Sequence, residues 1–292
     1  MNYEISNSIL AVKISSRGGE LRSMCDSDGQ EYIWQGDKEI WEDRAPNLFP
    51  YIGRMTEKSY QFQGKRYHMD IHGFLPTSEM KLVSKTKESL TLKLDASEET
   101  LIQYPFLFSL EITWTLVGER LEIAYQVKNK DEKTMYFGIG GHPGFIVPVD
   151  QGAEFEDYRI DFGVNASPKR VKMSEDCFVL EGDEFLELTE KRYLNLRHDL
   201  FDHDAIILKK VPREVKLNSE KGDREIVISF PDMDYLGIWH RPLKTPNYVC
   251  IEPWSSLPSR KDIVEDIVQQ PGLIALESGG VYRNSWSILI RQ

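Results

Sequence analysis

The amino-acid sequence predicts an all-β protein, built as a large antiparallel β-sandwich with few short helices. Apolar and polar side chains alternate over much of the 292 residues, a pattern typical of strands with one buried face. Helical periodicity is confined to two short segments. No repeat, low-complexity tract or long polar linker divides the chain. We therefore expect residues 1–292 to form a single domain of two packed sheets.

A β-hairpin in the middle of the chain is the clearest predicted element. Apolar side chains occupy every second position of residues 110–116 and of residues 121–127. The intervening Gly118-Glu119-Arg120 supplies the glycine that tight hairpin turns favour. The same alternation predicts further strands over residues 90–94, 226–230 and 286–290.

Two short helices are expected as connectors. One is predicted from Ser97 to Gln103 and the other from Arg260 to Gln269. In the second segment, the apolar residues at 263, 264, 267 and 268 fall on one helical face before Pro271 stops the helix.

Composition excludes several classes of partner. Asp and Glu number 47 against 36 Lys and Arg, and this net charge of −11 would repel a polyphosphate backbone. No nucleic-acid partner is therefore expected. The chain has neither a basic N-terminal flank with an apolar run nor a long apolar stretch, so we expect no signal peptide and no membrane partner.

The cysteines favour a reducing compartment. Cys25, Cys177 and Cys250 are odd in number and widely separated, without a CxxC motif. Neither a disulfide framework nor a zinc ribbon is indicated, and a cytoplasmic location is expected. His68 and His72 lie in a stretch interpreted as extended, where four steps of ~3.3 Å place their Cα atoms about 13 Å apart. This spacing is too wide for one metal ion.

His142 is the first candidate for chemistry. It follows Gly140-Gly141 and precedes Pro143-Gly144, at the end of a strand-like run. Glycines allow a close approach of the backbone to a ligand, and Pro143 fixes φ just after the histidine. The same pattern is also typical of an ordinary turn.

Glu252 is the second candidate. In the stretch from Asn247 to Ser255, Val249 and Ile251 point to one face, so Cys250, Glu252 and Trp254 point to the other. Apolar surroundings would raise the pKa of this carboxyl group and make it a better base. The alternative is a glutamate in a salt bridge on an edge strand.

Further polar residues stand in apolar stretches. Arg54 follows Gly53 in a run rich in apolar residues and proline, and a buried arginine needs several oxygen atoms as partners. His72 precedes Gly73-Phe74, as His142 precedes Pro143-Gly144. Asp202 and Asp204 are expected on one face at the start of a strand, where they would bind hydroxyl groups or mark a turn.

The ordered set of motifs resembles the aldose 1-epimerases, or galactose mutarotases, and is most similar to their LacX-like bacterial branch. The resemblance covers nearly the whole chain. It implies a large antiparallel β-sandwich with the sugar site on a concave sheet. It rests on Ile52-Gly53-Arg54, Gln61 to Tyr67, His72-Gly73-Phe74, Gly141-His142-Pro143, Asp204-Ala205 and Ile251-Glu252-Pro253-Trp254.

The resemblance also implies roles for these residues. Glu252 would be the general base and His142 the general acid, while His72, Arg54 and an aspartate would bind the ring oxygen and hydroxyl groups. No cofactor or metal is implied, and the only partner expected is a small sugar, bound by a monomer or homodimer.

Two aspartates compete for the last role. Asp204 is favoured, because Asp-Ala before an apolar run is typical of the LacX-like branch. Asp202 is the alternative, since Asp202-His203 resembles the Asp-His-Asn of other mutarotases. Trp254, on the same strand face as Glu252, is also expected to contact substrate.

Elementary acid–base chemistry supports the two catalytic roles. Interconverting α and β anomers of an aldose requires a proton to leave the anomeric hydroxyl while another reaches the ring oxygen. At reference pKa values of about 4.3 and 6.5, Glu252 would be ionised and His142 partly protonated at neutral pH. The competing hypotheses are a carbohydrate-binding or regulatory module without turnover and a glycosidase that uses Glu252 with Asp204.

Departures from the typical mutarotase pattern concern the substrate. Gly53 stands where an asparagine often precedes the arginine, and Pro253-Trp254 replaces Thr-Gln after the glutamate. A related branch acts on hexose 6-phosphates, so the substrate is expected to be a free or phosphorylated hexose. The basic residues that could bind a phosphate are Arg241, Lys244, Arg260 and Lys261.

Overall fold

A computed structural model describes residues 1–292 and shows strands paired antiparallel throughout. The strands are β1 (Asn2–Ser6), β2 (Leu10–Ser15), β3 (Leu21–Asp26), β4 (Asn47–Leu48), β5 (Ser59–Phe62), β6 (Lys65–His68), β7 (Lys81–Lys85), β8 (Ser89–Asp95), β9 (Phe108–Val117), β10 (Arg120–Asn129), β11 (Met135–Phe137), β12 (Gly140–Gly141), β13 (Gly144–Ile146), β14 (Tyr158–Asp161), β15 (Lys169–Met173), β16 (Val179–Phe185), β17 (Tyr193–Asn195), β18 (Ile206–Lys209), β19 (Glu214–Ser219), β20 (Glu225–Ser229), β21 (Tyr235–Trp239), β22 (Tyr248–Trp254), β23 (Ile274–Leu276) and β24 (Val281–Arg291).

Two large sheets dominate the architecture. The nine-stranded sheet has the order β17-β14-β19-β20-β24-β10-β9-β8-β7. The eight-stranded sheet has the order β16-β15-β18-β21-β22-β12-β4, with β13 also paired to β22. Apolar side chains from both sheets join in one buried cluster of 64 residues. The predicted antiparallel β-sandwich is therefore confirmed.

The predicted hairpin is formed by β9 and β10. Val117 pairs with Arg120, so the turn consists of Gly118 and Glu119 alone. Leu110, Ile112, Trp114 and Leu116 are buried, as are Leu121, Ile123, Tyr125 and Val127. The period-two pattern identified the inward face because each strand has one side in the core and one side in solvent.

Helices are few, and one of the two predicted helices is wrong. Helix α1 (Glu98–Gln103) forms where expected, and Ser97 and Thr100 make a capping box at its start. The remaining helical turns are short 3₁₀ segments at Thr56–Lys58, Leu75–Thr77, Phe155–Asp157 and His198–Phe201. None of these helices is both long and apolar enough to cross a membrane.

Residues 260–269 do not form the predicted helix. Asp262 has a φ of 58°, which a right-handed helix does not accommodate. The backbone bonds instead to another segment: Gln61 N–H donates to Glu265 O at 2.7 Å, and Ile267 N–H donates to Gln61 O at 2.9 Å. Tertiary backbone pairing thus replaces the local helical hydrogen bonds that the apolar spacing suggested.

A buried polar chain connects the two sheets beneath the candidate site. Trp286 Nε1–H, from β24, donates to the hydroxyl of Tyr125 at 2.9 Å. That hydroxyl donates to Asn47 Oδ1 at 2.8 Å, and Asn47 Nδ2 donates to the carbonyl of Gly19 at 2.8 Å. Because each polar group in this chain is bonded, it fixes the relative position of β4, β10 and β24.

Candidate active site

A cavity of about 570 Å³ lies on the side of the eight-stranded sheet that faces away from the core. Val249 and Ile251 of β22 point into the core cluster, while Glu252 and Trp254 of the same strand point into the cavity. All six residues that the sequence singled out line this one cavity: Arg54, His72, His142, Asp204, Glu252 and Trp254. Their individual roles remain predictions.

Strand register brings His142 and Glu252 together. Gly140 pairs with Trp254 and Gly144 pairs with Cys250, so the turn between β12 and β13 lies beside Glu252. The backbone N–H of His142 donates to Pro46 O at 2.9 Å and fixes the turn. The imidazole Nε2 then lies 3.2 Å from Glu252 Oε2.

Neither group of this pair is fully hydrogen-bonded. Glu252 is 1% exposed and His142 is 8% exposed, yet Glu252 Oε2 and His142 Nδ1 have no hydrogen-bond partner. Buried polar atoms are nearly always bonded, because an unpaired one costs about 1–3 kcal/mol. Two such atoms in neighbouring side chains at a cavity wall are therefore suited to a polar ligand.

The glycines around His142 serve a purpose other than the one expected. A Cβ atom on Gly141 would lie 2.5 Å from the Trp286 ring, and one on Gly140 would lie 2.6 Å from Pro253 O. One on Gly138 would lie 2.1 Å from Ser256 Oγ. The glycines let the turn pack against protein, and the expectation that they also bring a ligand close to the backbone stays a prediction.

Burial shifts the pKa values of the pair toward the uncharged forms. It raises the pKa of Glu252 well above its usual value, and the negative charge of Asp204 adds to the effect. It lowers the pKa of His142 to about 4, although the charge of Asp204 acts in the opposite direction. Both directions favour the uncharged forms, whereas the reference values favoured an ionised glutamate and a partly protonated histidine. Between the two pKa values the pair holds one proton, which resides on Glu252.

His72 is held as a neutral hydrogen-bond donor. Its φ is 64°, and its backbone N–H donates to Gly53 O at 3.0 Å. Gly53 N–H donates in return to the ring Nδ1 of His72 at 3.2 Å, so the ring proton lies on Nε2. Burial, with the nearby His142 and Arg54, lowers the pKa of His72 well below its usual value. Its free Nε2–H is available to a ligand oxygen.

Asp204 is held by two neighbours at the cavity rim. Cys177 Sγ donates to Asp204 Oδ2 at 2.7 Å, and Arg54 lies 3.7 Å from the same oxygen. Burial and the contact with Asp204 raise the pKa of the Cys177 thiol to about 12, so it stays protonated as a donor. Arg54 is half exposed, which corrects the expectation of a buried arginine among several oxygens.

The structure separates the two competing aspartates. Asp204 lines the cavity, whereas Asp202 is exposed at the end of the 3₁₀ segment His198–Phe201. Asp204 has a φ of 75°, so the chain turns before β18 begins at Ile206. The two side chains therefore do not share one strand face, and that expectation is wrong.

Comparisons with known proteins show the family of this chain. The family model described as aldose 1-epimerase matches residues 1–272. The chain belongs to the aldose 1-epimerase family. The chromosomal protein LacX of Lactococcus lactis subsp. lactis is 33% identical over 301 residues, covering 99% of each chain. The expected similarity to LacX-like proteins is thus confirmed.

Two solved structures share the fold of this aldose 1-epimerase family member. A galactose mutarotase related enzyme from Lactobacillus acidophilus is 33% identical, with a TM-score of 0.95 over 100% of this chain and 98% of that one. A galactose mutarotase-like protein from Lactobacillus casei ATCC 334 is 30% identical, with a TM-score of 0.94 over the whole of both chains.

Aromatic residues that the sequence did not single out form much of the wall around His142. The rings of Trp41 and Trp239 lie 5.1 Å and 5.6 Å from the His142 ring, between centroids. Trp254, by contrast, is 3% exposed and packs against Leu48 in a small separate cluster. Trp41 and Trp239 therefore offer more surface to a sugar in this family member than Trp254 does.

Only one of the four basic residues considered for a phosphate reaches the cavity. Arg241 lines it. Arg260 instead makes two hydrogen bonds to Glu265, at 2.9 and 2.7 Å, and Lys261 is paired with Asp176. Lys244 is exposed and not part of the lining.

Proposed function

We propose that this member of the aldose 1-epimerase family interconverts the α and β anomers of an aldose at C1. In this proposal Glu252 takes the proton of the anomeric hydroxyl, and His142 protonates the ring oxygen. The ring opens, the C1 carbonyl rotates, and closure on the opposite face reverses both proton transfers. The reaction is a net isomerisation, so every proton is returned.

The 3.2 Å separation of His142 Nε2 and Glu252 Oε2 is the observation that carries the proposal. The anomeric hydroxyl and the ring oxygen are bonded to the same carbon, so the two groups that exchange protons with them must also be adjacent. Glu252 Oε2 and His142 Nδ1 have no protein hydrogen-bond partner. A bound sugar would supply the missing partners.

The single proton of the pair is compatible with these roles. With that proton on Glu252 the pair is uncharged. Transfer of the proton across the short gap to His142 leaves Glu252 as a carboxylate, which is the base, and makes His142 an imidazolium, which is the acid. A sugar hydroxyl that donates to Glu252 stabilises the carboxylate form. The catalytic form is therefore expected to persist between the two macroscopic pKa values of the pair.

The surrounding side chains would orient the sugar. His72 would donate from Nε2 to a sugar oxygen, and the half-exposed guanidinium of Arg54 would donate to another. Asp204 would accept from a hydroxyl group, while Trp254 would close the base of the site beside Glu252. Such positioning lowers the barrier by holding C1 against the acid–base pair.

Polarimetry of the Glu252→Gln variant tests the proposal. Catalysed mutarotation of hexoses, after subtraction of the buffer rate, should fall by at least about 10²- to 10⁴-fold, because an amide does not act as the base. Glu265→Gln is the matched control, since Glu265 is 2% exposed but is paired with Arg260 outside the cavity. The control should keep the rate, and circular dichroism should show both variants folded.

Other outcomes would select other functions. Full activity in Glu252→Gln would remove Glu252 as the base. Sugar binding by calorimetry without acceleration in the wild type would indicate a binding module, and release of reducing ends from an oligosaccharide would indicate a glycosidase. A panel of free hexoses and their 6-phosphates would show whether Arg241 contributes to binding.

A further inference from the structure

We propose that His142, Cys250 and Glu252 form a binding site for one thiophilic divalent cation of the zinc type, and that the bound ion blocks the acid–base pair. The first part rests on geometry alone, and the second rests on the proposed function. The proposed reaction does not use Cys250, and it would proceed without the ion. The cation would therefore act as an inhibitor that competes with the sugar.

Strand register assembles the three ligands. Cys250 and Glu252 are two residues apart in β22 and therefore share a face, and the turn carrying His142 is paired with the same strand. One ligand atom from each side chain lies within 4.8 Å of the other two. All three residues are buried, with exposures of 8%, 0% and 1% in sequence order.

The distances suit a tetrahedral ion after a small adjustment. Zinc bonds of about 2.0–2.3 Å to nitrogen, oxygen and sulfur place the ligand atoms about 3.4–3.6 Å apart. His142 Nε2 and Glu252 Oε2 are already 3.2 Å apart. The three ligand atoms lie within 4.8 Å of one another, so the sulfur needs to approach the other two by roughly 1.2–1.4 Å at most. The fourth position would be open to the cavity for water.

An unpaired carboxylate oxygen provides the second, independent observation. Glu252 Oε2 is buried without a hydrogen-bond partner, and no lysine or arginine pairs with Glu252. A divalent ion with one thiolate, one carboxylate and one neutral imidazole gives a site of zero net charge, which suits a buried position. Cys250 loses its thiol proton and Glu252 its carboxyl proton to solvent when their bonds to the metal form, as metal binding to such ligands requires.

Titration of the metal-free full-length protein with Cd²⁺ tests the site without reference to activity. A thiolate-to-cadmium charge-transfer band in the ultraviolet should grow and saturate at one ion per chain. Cys250→Ser should abolish the band. Cys25→Ser is the matched control, because Cys25 bonds to Ser23 and Glu31 and has no histidine beside it, and this variant should keep the band.

A second measurement guards against misfolding of the Cys250 variant. X-ray absorption of the zinc-loaded wild type should show one sulfur and one imidazole nitrogen around the metal. Absence of the band in the wild type, its persistence in Cys250→Ser, or a coordination sphere without sulfur would each overturn the site.

The inhibitory part is tested separately by polarimetry. Zn²⁺ should stop catalysed mutarotation, a chelator should restore it, and saturating sugar should weaken Zn²⁺ binding. Binding of Zn²⁺ at this site with an unchanged catalysed rate would overturn the inhibition. If the wild type shows no mutarotation at all, the proposed function fails, while the cadmium titration still decides the metal site.

Discussion

Two buried histidines in this protein differ in how their ring nitrogens are used. His240 is fully buried, and both nitrogens are bonded, Nδ1 to the carbonyl of Arg241 at 2.9 Å and Nε2 to His198 Nδ1 at 3.1 Å. His142 is almost as buried, but its Nδ1 has no partner and its Nε2 only approaches Glu252. Burial lowers both pKa values to about 4.

The comparison shows that a shifted pKa does not by itself distinguish a functional histidine from a structural one. The difference lies in the bonding. The His198–His240 pair is closed, stacks on Phe155 and contacts Phe201, so it supports the fold. The His142–Glu252 pair is open toward a cavity and can exchange protons with a ligand.

The largest expected effect is the difference in catalysed rate between substitutions of His142 and of His240. His142→Gln should lower the catalysed rate of mutarotation about 10²- to 10⁴-fold, with little change in the midpoint of thermal unfolding. His240→Gln should keep most of the rate and lower the stability by about 1–3 kcal/mol, because it breaks two buried hydrogen bonds. Equal loss of activity in both variants would contradict the comparison.

The pH dependence of activity should follow the titration of the His142–Glu252 pair. Below about pH 4 His142 gains a proton, and the pair then has no base, so the wild-type rate should fall. It should fall again as pH rises through the raised pKa of Glu252, because the pair then has no acid. Polarimetric pH profiles of the wild type and of His240→Gln should coincide. A shifted pH profile in His240→Gln would show that the His198–His240 pair contributes to the pH dependence of activity.

The His198–His240 pair should affect the pH dependence of stability rather than that of activity. The folded-state pKa of His240 is about 4, below the usual 6.5, so the folded protein binds fewer protons between these values. Its contribution to stability is complete above pH 6.5 and is lost as pH falls toward 4. Denaturant unfolding should therefore show a smaller difference between wild type and His240→Gln at pH 5 than at pH 7.

Asp204 is intermediate between the open and the closed pair, since it lines the cavity but already contacts Cys177 and Arg54. Asp204→Asn should raise KM about 10-fold, equivalent to about 1.4 kcal/mol, with a smaller effect on kcat. Loss of its charge should also move both limbs of the pH profile to lower pH, because that charge raises the pKa values of Glu252 and His142. An unchanged profile would contradict this electrostatic coupling.

The smallest expected effect concerns Cys177, which positions Asp204. Cys177→Ala removes the donor at 2.7 Å and should raise KM about 5-fold, for a loss of about 1 kcal/mol. Cys177→Ser keeps a donor and should restore most of the affinity. Both substitutions share the φ of 69° at this position, so the pair of variants isolates the hydrogen bond. Similar KM values in the two would refute the positioning role.

Local sequence patterns predicted those parts of the fold that are determined within a single strand or hairpin. The β9–β10 hairpin and the two faces of β22 follow from period-two alternation, which a half-buried sheet imposes directly. The six candidate site residues were predicted through ordered motifs, and all line one cavity. The failed helix at 260–269 has a helical apolar spacing, but its backbone pairs with Gln61, and no local pattern contains that contact.

The cavity residues that the sequence did not predict lie in walls formed by segments far apart in the chain. Trp41 comes from a loop and Trp239 from β21, and the fold brings their ring centroids to 5.4 Å from each other beside His142. Trp239 had a usable signal, since Leu236 and Ile238 point inward and so place it on the face of Glu252. The shifts of the two pKa values toward the uncharged forms also depend on burial, which reference pKa values do not contain.

The tight packing of Gly141 against Trp286 has a consequence for how this site can vary. Glu252 lies on β22, and His142 lies in the turn between β12 and β13, which both pair with β22. The packing there leaves no room even for an added methyl group at Gly141. The outer wall, in contrast, is built by loops that carry Trp41, Asp204 and Arg241. Under the proposed function, reaction chemistry and sugar preference would thus be encoded in separable parts of the chain. Exchange of the loop at residues 241–243 between relatives should retune the preferred sugar while leaving the anomeric chemistry intact.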